Sequence, residues 1–291
     1  MDLIKLRDLY QRNHLSDEDL VKAEALLTRL DAFIPLEGLS QENLARVIKH
    51  LVDTKENTVE AFVIMMRYFL STGEIERYIQ LTRYTGGLDV IENILARLEG
   101  KFGSGMKEET MDGLDIPVLG TSPEDMSVFT ARFMDSLKRH FSDEDICFIL
   151  EGNNHGVSDK AFVGDKALYE ASATLDEYFQ KLHMSKVAVL QEHADKKKVW
   201  FEQKITQEVV DFVKSNQELL SAKRIGNLAY MTKIPYDIEG YLHADNDKDR
   251  AYLACHCPFA RETVKKGDMD ISPLWCRCSA GFEKMSLEYV L

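Results

Sequence analysis

The chain has 291 residues, 45% apolar and 29% charged, with 16 Gly and 6 Pro, an ordinary globular composition that excludes a disordered or fibrous chain. A formal charge of −13, from 36 basic and 49 acidic residues, argues against a phosphate-backbone binder, because non-specific nucleic-acid affinity comes from basic surface. No run approaches the roughly 18 uninterrupted apolar residues of a membrane span.

The opening Met1-Asp2-Leu3-Ile4-Lys5-Leu6-Arg7 interrupts any signal-peptide core with charges. The expected setting is cytoplasmic, without a membrane or nucleic-acid partner. The length suggests two domains, each large enough for its own core. The predicted fold class is mostly α with a small antiparallel β-sheet (α+β): a helical domain over 1–104, then an α+β domain over 105–291.

From Met1 to about Gly100, apolar residues recur at helical spacing between turn residues. Ser40 is a natural N-cap for a helix with Leu44, Val47, Ile48 and Leu51 on one face. The spacing predicts another helix over 58–70, with Phe62, Met65, Met66 and Phe69 on one face and Gly73 as its C-cap. Helices over 74–84 and 88–99 complete a set of antiparallel hairpins. The first 100 residues hold 12 basic and 17 acidic residues, leaving no basic face for a DNA-recognition helix. The expected role is packing or homo-oligomerisation through this helical domain.

Residues 100–124 carry seven Gly and Pro breakers, from Gly100 to Pro123, and read as a linker. Helices resume over 122–140 (Ser122 as cap), 142–151, 158–169, 172–195 and 203–220, with Lys196-Lys197-Lys198 as a solvated turn. Glu151-Gly-Asn-Asn-His155 reads as a turn at a helix end, with a polar ligand-binding loop as the alternative. Leu228–Ile234 and Arg250–Cys257 are rich in β-formers and predict antiparallel strands, with 244–249 as the connecting loop. Asp245-Asn-Asp-Lys-Asp249 starts like a calcium loop but has Arg250 and His256 where Gly and Glu are needed. The last helix is expected from Ser279. It ends on an uncapped apolar Tyr-Val-Leu291, the pattern of a chain that stops before its domain does.

Cys147 lies on an apolar helical stretch and reads as a small buried hydrophobe. The other four cysteines form two pairs, Cys255-His256-Cys257 and Cys276-Arg277-Cys278, 18 residues apart. In extended chain, residues i and i+2 share a face, and Pro258 favours extended backbone at Cys257. The two pairs together would make a four-sulfur pocket, the ordinary ligand set of a tetrahedral zinc ion, although one intervening residue is shorter than the usual C-x₂₋₄-C knuckle. The spacing matches neither common ferredoxin pattern. A second chemistry is open at the same place. Cys278 at a helix N-terminus beside Arg277 is expected to have a lowered thiol pKa and to act as a nucleophile, with His243 or His256 as base. The sulfurs also fit plain packing, and without an export signal a stable disulfide is disfavoured.

The segments Thr232-Lys-Ile-Pro-Tyr236, Ala254-Cys-His-Cys-Pro-Phe-Ala-Arg-Glu262 and Trp275-Cys-Arg-Cys-Ser-Ala-Gly-Phe-Glu-Lys284, with Ile149–His155 and Trp200–Lys204 upstream, resemble a bacterial family found mainly in Firmicutes, a resemblance that implies no particular activity. More distantly, the Cys-Pro segment followed by a cysteine and a short helix resembles the L-2-amino-thiazoline-4-carboxylate hydrolase family and the 4-vinyl reductase type of small-ligand domain, some members of which hold zinc through cysteines. The expectation is a small-molecule or metal-binding sensory or accessory protein using Cys255, Cys257, Cys276 and Cys278. The alternatives are a cysteine-dependent hydrolase of a small C–N or C–S substrate and a helical interaction scaffold.

Overall fold

The computed structural model describes residues 1–87, 89–201, 203–267 and 271–291. These are mostly helical, with two small antiparallel two-stranded sheets among the described residues. Several helices begin where a short polar side chain accepts an otherwise unpaired backbone N–H. Ser16 accepts from Asp19, Ser40 from Asn43, Thr58 from Ala61, Ser142 from Asp145 and Thr174 from Glu177. Each such cap contributes about 1 kcal/mol.

Inter-residue contacts divide the chain into two compact units, one of Met1–Leu88 with Pro117–Met126, the other of Asp89–Ile116 with Ser127–Leu291. The first unit holds α1 (Leu3–Arg12), α2 (Asp17–Phe33), α3 (Gln41–Asp53), α4 (Val59–Thr72) and α5 (Ile75–Thr82). Its core includes Leu6 of α1, Leu27 of α2, and Leu44, Ile48, Phe62, Met65 and Phe69 from the predicted apolar faces of α3 and α4. Gly73 ends α4 at φ +81°, as expected of its C-cap role.

Residues 117–126 return to this core. Leu119 joins it, its carbonyl accepting from Asn57 Nδ2 at 2.7 Å. Gly120 follows at φ +91°, and a Cβ there would stand 2.9 Å from Val52 Cγ2 and 3.2 Å from Ile48 Cγ2.

The second unit contains α6 (Val90–Phe102), α7 (Ser104–Met111), most of α8 (Pro123–His140), α9 (Asp143–Leu150), α10 (Val163–Glu170) and α11 (Leu175–Asp195). Then come β1 (Val199–Trp200), β2 (Gln203–Lys204), α12 (Gln207–Lys214), β3 (Lys223–Ile225), β4 (Leu228–Tyr230), α13 (Ile238–Leu242), α14 (Asp247–Ala254), α15 (Arg261–Lys266) and α16 (Arg277–Val290). The linker read over 100–124 contains α7, because Gly103 at φ +90° re-aims the chain and a new helix starts at once. Apolar residues of α11 and α12 meet in one buried cluster with Ile234 and Ile238.

The strand expected over Arg250–Cys257 is instead the helix α14. The Asn246 side chain accepts from the Asp249 N–H, and Asp247 and Asp249 occupy the first turn, where carboxylates oppose the helix dipole. Capping outweighs the weak β propensity of Tyr252 and its neighbours. Leu228–Tyr230 does pair, but with Lys223–Ile225 through a Gly226-Asn227 turn in which Gly226 sits at φ +62°, a residue pair suited to a tight hairpin. Among the described residues no helix is long and apolar enough to cross a membrane.

The variant Gly120→Ala combines a disfavoured φ with overpacking against α3. It is expected to lower stability by about 1–3 kcal/mol, read as a fall in the urea midpoint of the full chain.

Candidate functional site

The four clustered cysteines lie on two segments held together by a tryptophan. Pro273–Cys276 forms a 3-10 turn that feeds directly into α16. Trp275, 2% exposed, packs edge-on against Phe133 and Phe259. Its indole N–H donates to Cys257 Sγ at 3.2 Å, which docks the 255–259 segment on the start of α16.

The sulfurs share one electrostatic neighbourhood. Burial is the main cause that pushes the Cys255 thiol up; the Cys257 backbone N–H eases it, and charge on Cys276 adds to it. Although Cys257 is only partly buried as a residue, its sulfur is enclosed enough for burial to push it up to about 12, with charge on Cys255 and Cys278 contributing. The bond from Trp275 to Cys257 therefore sets the segment of the first pair beside the start of the helix that carries the second.

Their geometry departs from that expectation at the second pair. Cys276 and Cys278 are helical rather than extended, so their side chains lie roughly 200° apart around the axis. Cys276 is exposed and Cys278 buried. Among the described residues no group of three or more His, Cys, Asp or Glu is placed to hold a metal ion. The Cys278 thiol is also not lowered. Burial pushes it up, opposed by Asn154 and Lys233, and the helix end that was to lower it continues a 3-10 turn in which the Arg277 N–H already donates to the Leu274 carbonyl.

Both histidines expected as a base are engaged elsewhere. His243 pairs with Glu208 at 3.0 Å, and His256 donates through Nε2–H to the Ile234 carbonyl. The imidazole beside Cys278 belongs to His155, whose Nε2 lies 3.7 Å from Cys278 Sγ. His155 is exposed as a residue, but its ring stands edge-on to Phe282 at 5.0 Å, and partial burial of the imidazole together with Lys233 lowers its pKa. Asn154, wholly buried, donates from Nδ2 to the Leu150 carbonyl at 2.5 Å and to Cys278 Sγ at 3.8 Å, while its Oδ1 has no hydrogen-bond partner among the described residues.

The 151–155 turn that supplies both groups is fastened from several sides. Arg277 pairs with Glu151 at 2.9 Å, and Lys284 approaches the same carboxylate at 3.8 Å. Asn93 Nδ2 donates to the Asn154 carbonyl at 2.9 Å. Gly281 lets the turn lie directly on α16, since a Cβ there would stand 2.9 Å from the Glu151 Cα. Lys233 completes the surroundings, its Nζ donating to Ser279 Oγ at 3.3 Å, 3.5 Å from Glu283 and 5.0 Å from the centre of the Phe282 ring. Arg261, 6% exposed, lies over Tyr236 at 3.9 Å and Tyr252 at 4.3 Å.

No family model, curated protein or solved structure matches this chain.

Replacing Gly281 by Ala forces a methyl into the Glu151 backbone. It is expected to destabilise the chain by about 1–3 kcal/mol and to move the Asn154 and His155 amide resonances in a ¹⁵N-correlation spectrum. Acid gives a second prediction. Burial, with Lys233 and Arg261 adding repulsion, depresses His256 to about 4 against the bond to Ile234. The unfolded chain therefore takes up this proton first, and stability falls as pH drops from about 6.5 to about 4. Urea midpoints measured across that window should fall less steeply in His256→Gln than in the parent.

Proposed function

We propose that this protein is a cysteine-dependent enzyme acting on a small C–N or C–S substrate, with Cys278 as nucleophile and His155 as general base. The observation that carries the reading is the 3.7 Å approach of Cys278 Sγ to His155 Nε2, with the Asn154 amide on the same sulfur. Nucleophile and base within reach, with a third group orienting the pair, is the arrangement that activates a thiol.

Burial raises the thiol and lowers the imidazole, so the resting pair is neutral. As sulfur attacks an electrophilic acyl or imidoyl carbon, its proton passes to His155 Nε2. The Asn154 N–H and the Lys233 ammonium oppose the negative charge that develops. His155 then returns the proton to the departing nitrogen or sulfur, and water, deprotonated by the same imidazole, releases the product from Cys278.

Alkylation by iodoacetamide, followed by peptide mapping of the native chain, tests this. In His155→Gln the rate at Cys278 near neutral pH is expected to fall by about tenfold or more, while the rate at exposed Cys276 stays unchanged. An unaltered Cys278 rate overturns the reading. Elemental analysis of chain purified without chelator is the companion measurement. About one zinc per chain, lost in Cys276→Ser, would replace the enzyme by the metal-binding accessory protein that the four sulfurs also fit on ligand chemistry.

A further inference from the structure

The proposed dyad uses one of the four clustered thiols and leaves three without a task. Cys257 is enclosed and capped by the Trp275 indole. Cys255 is half-buried and Cys276 exposed, on the two segments that the Trp275 to Cys257 bond holds together. We propose that Cys255 and Cys276 are a reversible disulfide pair, formed under a hydroperoxide, that clamps the 255–259 segment to the start of α16 beside Cys278. The proposal names a regulation of the site described above, and in that respect rests on the Cys278 reading.

The other pairings are disfavoured by geometry. Cys276 and Cys278 point to opposite sides of one helix, and a disulfide cannot join diverging Cβ vectors. Cys255 and Cys257 belong to one non-helical segment, with Cys255 at extended backbone angles. Alternate residues of an extended chain stand about 6.6 Å apart, at the outer edge of what a bridge spans. Cys257 and Cys278 both have enclosed sulfurs occupied by N–H donors, Trp275 for one and Asn154 for the other. Cys276 is the exposed thiol an oxidant reaches first, and the 3.2 Å bond from its chain neighbour Trp275 to Cys257 seats it beside the segment that carries Cys255.

The chemistry balances with hydrogen peroxide as oxidant. The Cys276 sulfur attacks one peroxide oxygen, the O–O bond breaks, and a sulfenic acid and water result. Cys255 sulfur then attacks the sulfenic sulfur, the S–S bond forms, and hydroxide leaves to take the Cys255 proton as a second water. The two sulfurs together give up two electrons, and the peroxide accepts them. A dithiol reductant reverses the bridge by exchange.

The full chain treated with dilute hydrogen peroxide, quenched, and digested without reductant should yield a Cys255 to Cys276 cross-linked peptide that disappears on reduction. The bridge should form equally in His155→Gln, which separates this outcome from the fate of the dyad, and should be absent from Cys276→Ser. In the oxidised parent, Cys278 should lose reactivity toward iodoacetamide relative to the reduced chain. Recovery of Cys255 and Cys276 as free or over-oxidised thiols, a dominant bridge through Cys278, or an oxidised chain with unchanged Cys278 reactivity overturns the proposal.

Discussion

At Gly281 a hydrogen atom stands where any side chain would strike the Glu151 backbone at 2.9 Å. The rest of the site depends on that close approach. Because α16 lies directly on the turn after α9, the wholly buried Asn154 reaches Cys278 from one side and His155 from another. Two cations of α16, Arg277 and Lys284, hold Glu151 at the same junction. These partly exposed pairs add little energy individually. Their effect is to fix the register of the turn, while the buried contact between backbone and glycine supplies the proximity.

A second constraint comes from Trp275. The ring is large, nearly solvent-free and packed between Phe133 and Phe259, and its one polar atom is satisfied by a sulfur. A buried indole N–H left without an acceptor costs roughly 1–3 kcal/mol, so Cys257 has a structural reason to be cysteine that needs no ligand. That assignment divides the four thiols by role. Cys257 completes a core contact, Cys278 faces an imidazole, and Cys255 and Cys276 remain accessible on either side of the junction.

Much of the helical framework was legible in the sequence because its signals are local. Ser40 and Ser122 cap the helices they were read to cap, and of the predicted stripe Phe62, Met65 and Phe69 are buried while Met66 is partly so. The misreadings came where local preferences compete. Asn246 and Asp249 cap a helix across residues whose side chains favour strands, and Cys276-Arg-Cys278 carries the alternation of a strand inside a helix set by Pro273. The partnership of Cys278 with His155 was not legible, because 123 positions separate them. The turn signal at Glu151–His155 marked the right place, but only the packing of α16 says which sulfur it meets.

The electrostatic state of that partnership bears on how a catalyst of this kind would work. A thiolate and imidazolium pair carries its charges before substrate arrives. Here burial of the thiol and partial burial of the imidazole move both groups the other way, raising Cys278 and lowering His155, while Lys233 disfavours charge on His155 and favours it on Cys278. In the proposed enzyme, charge separation would belong to the reacting complex rather than the resting state, the condition under which Asn154 and Lys233 would stabilise the transition state more than the free protein. Displacement of water by a bound substrate would strengthen both interactions at the moment they are needed. Cys276, two residues away, is exposed and has no such pair of partners among the described residues, so discrimination between the thiols follows from their surroundings rather than from the residue type.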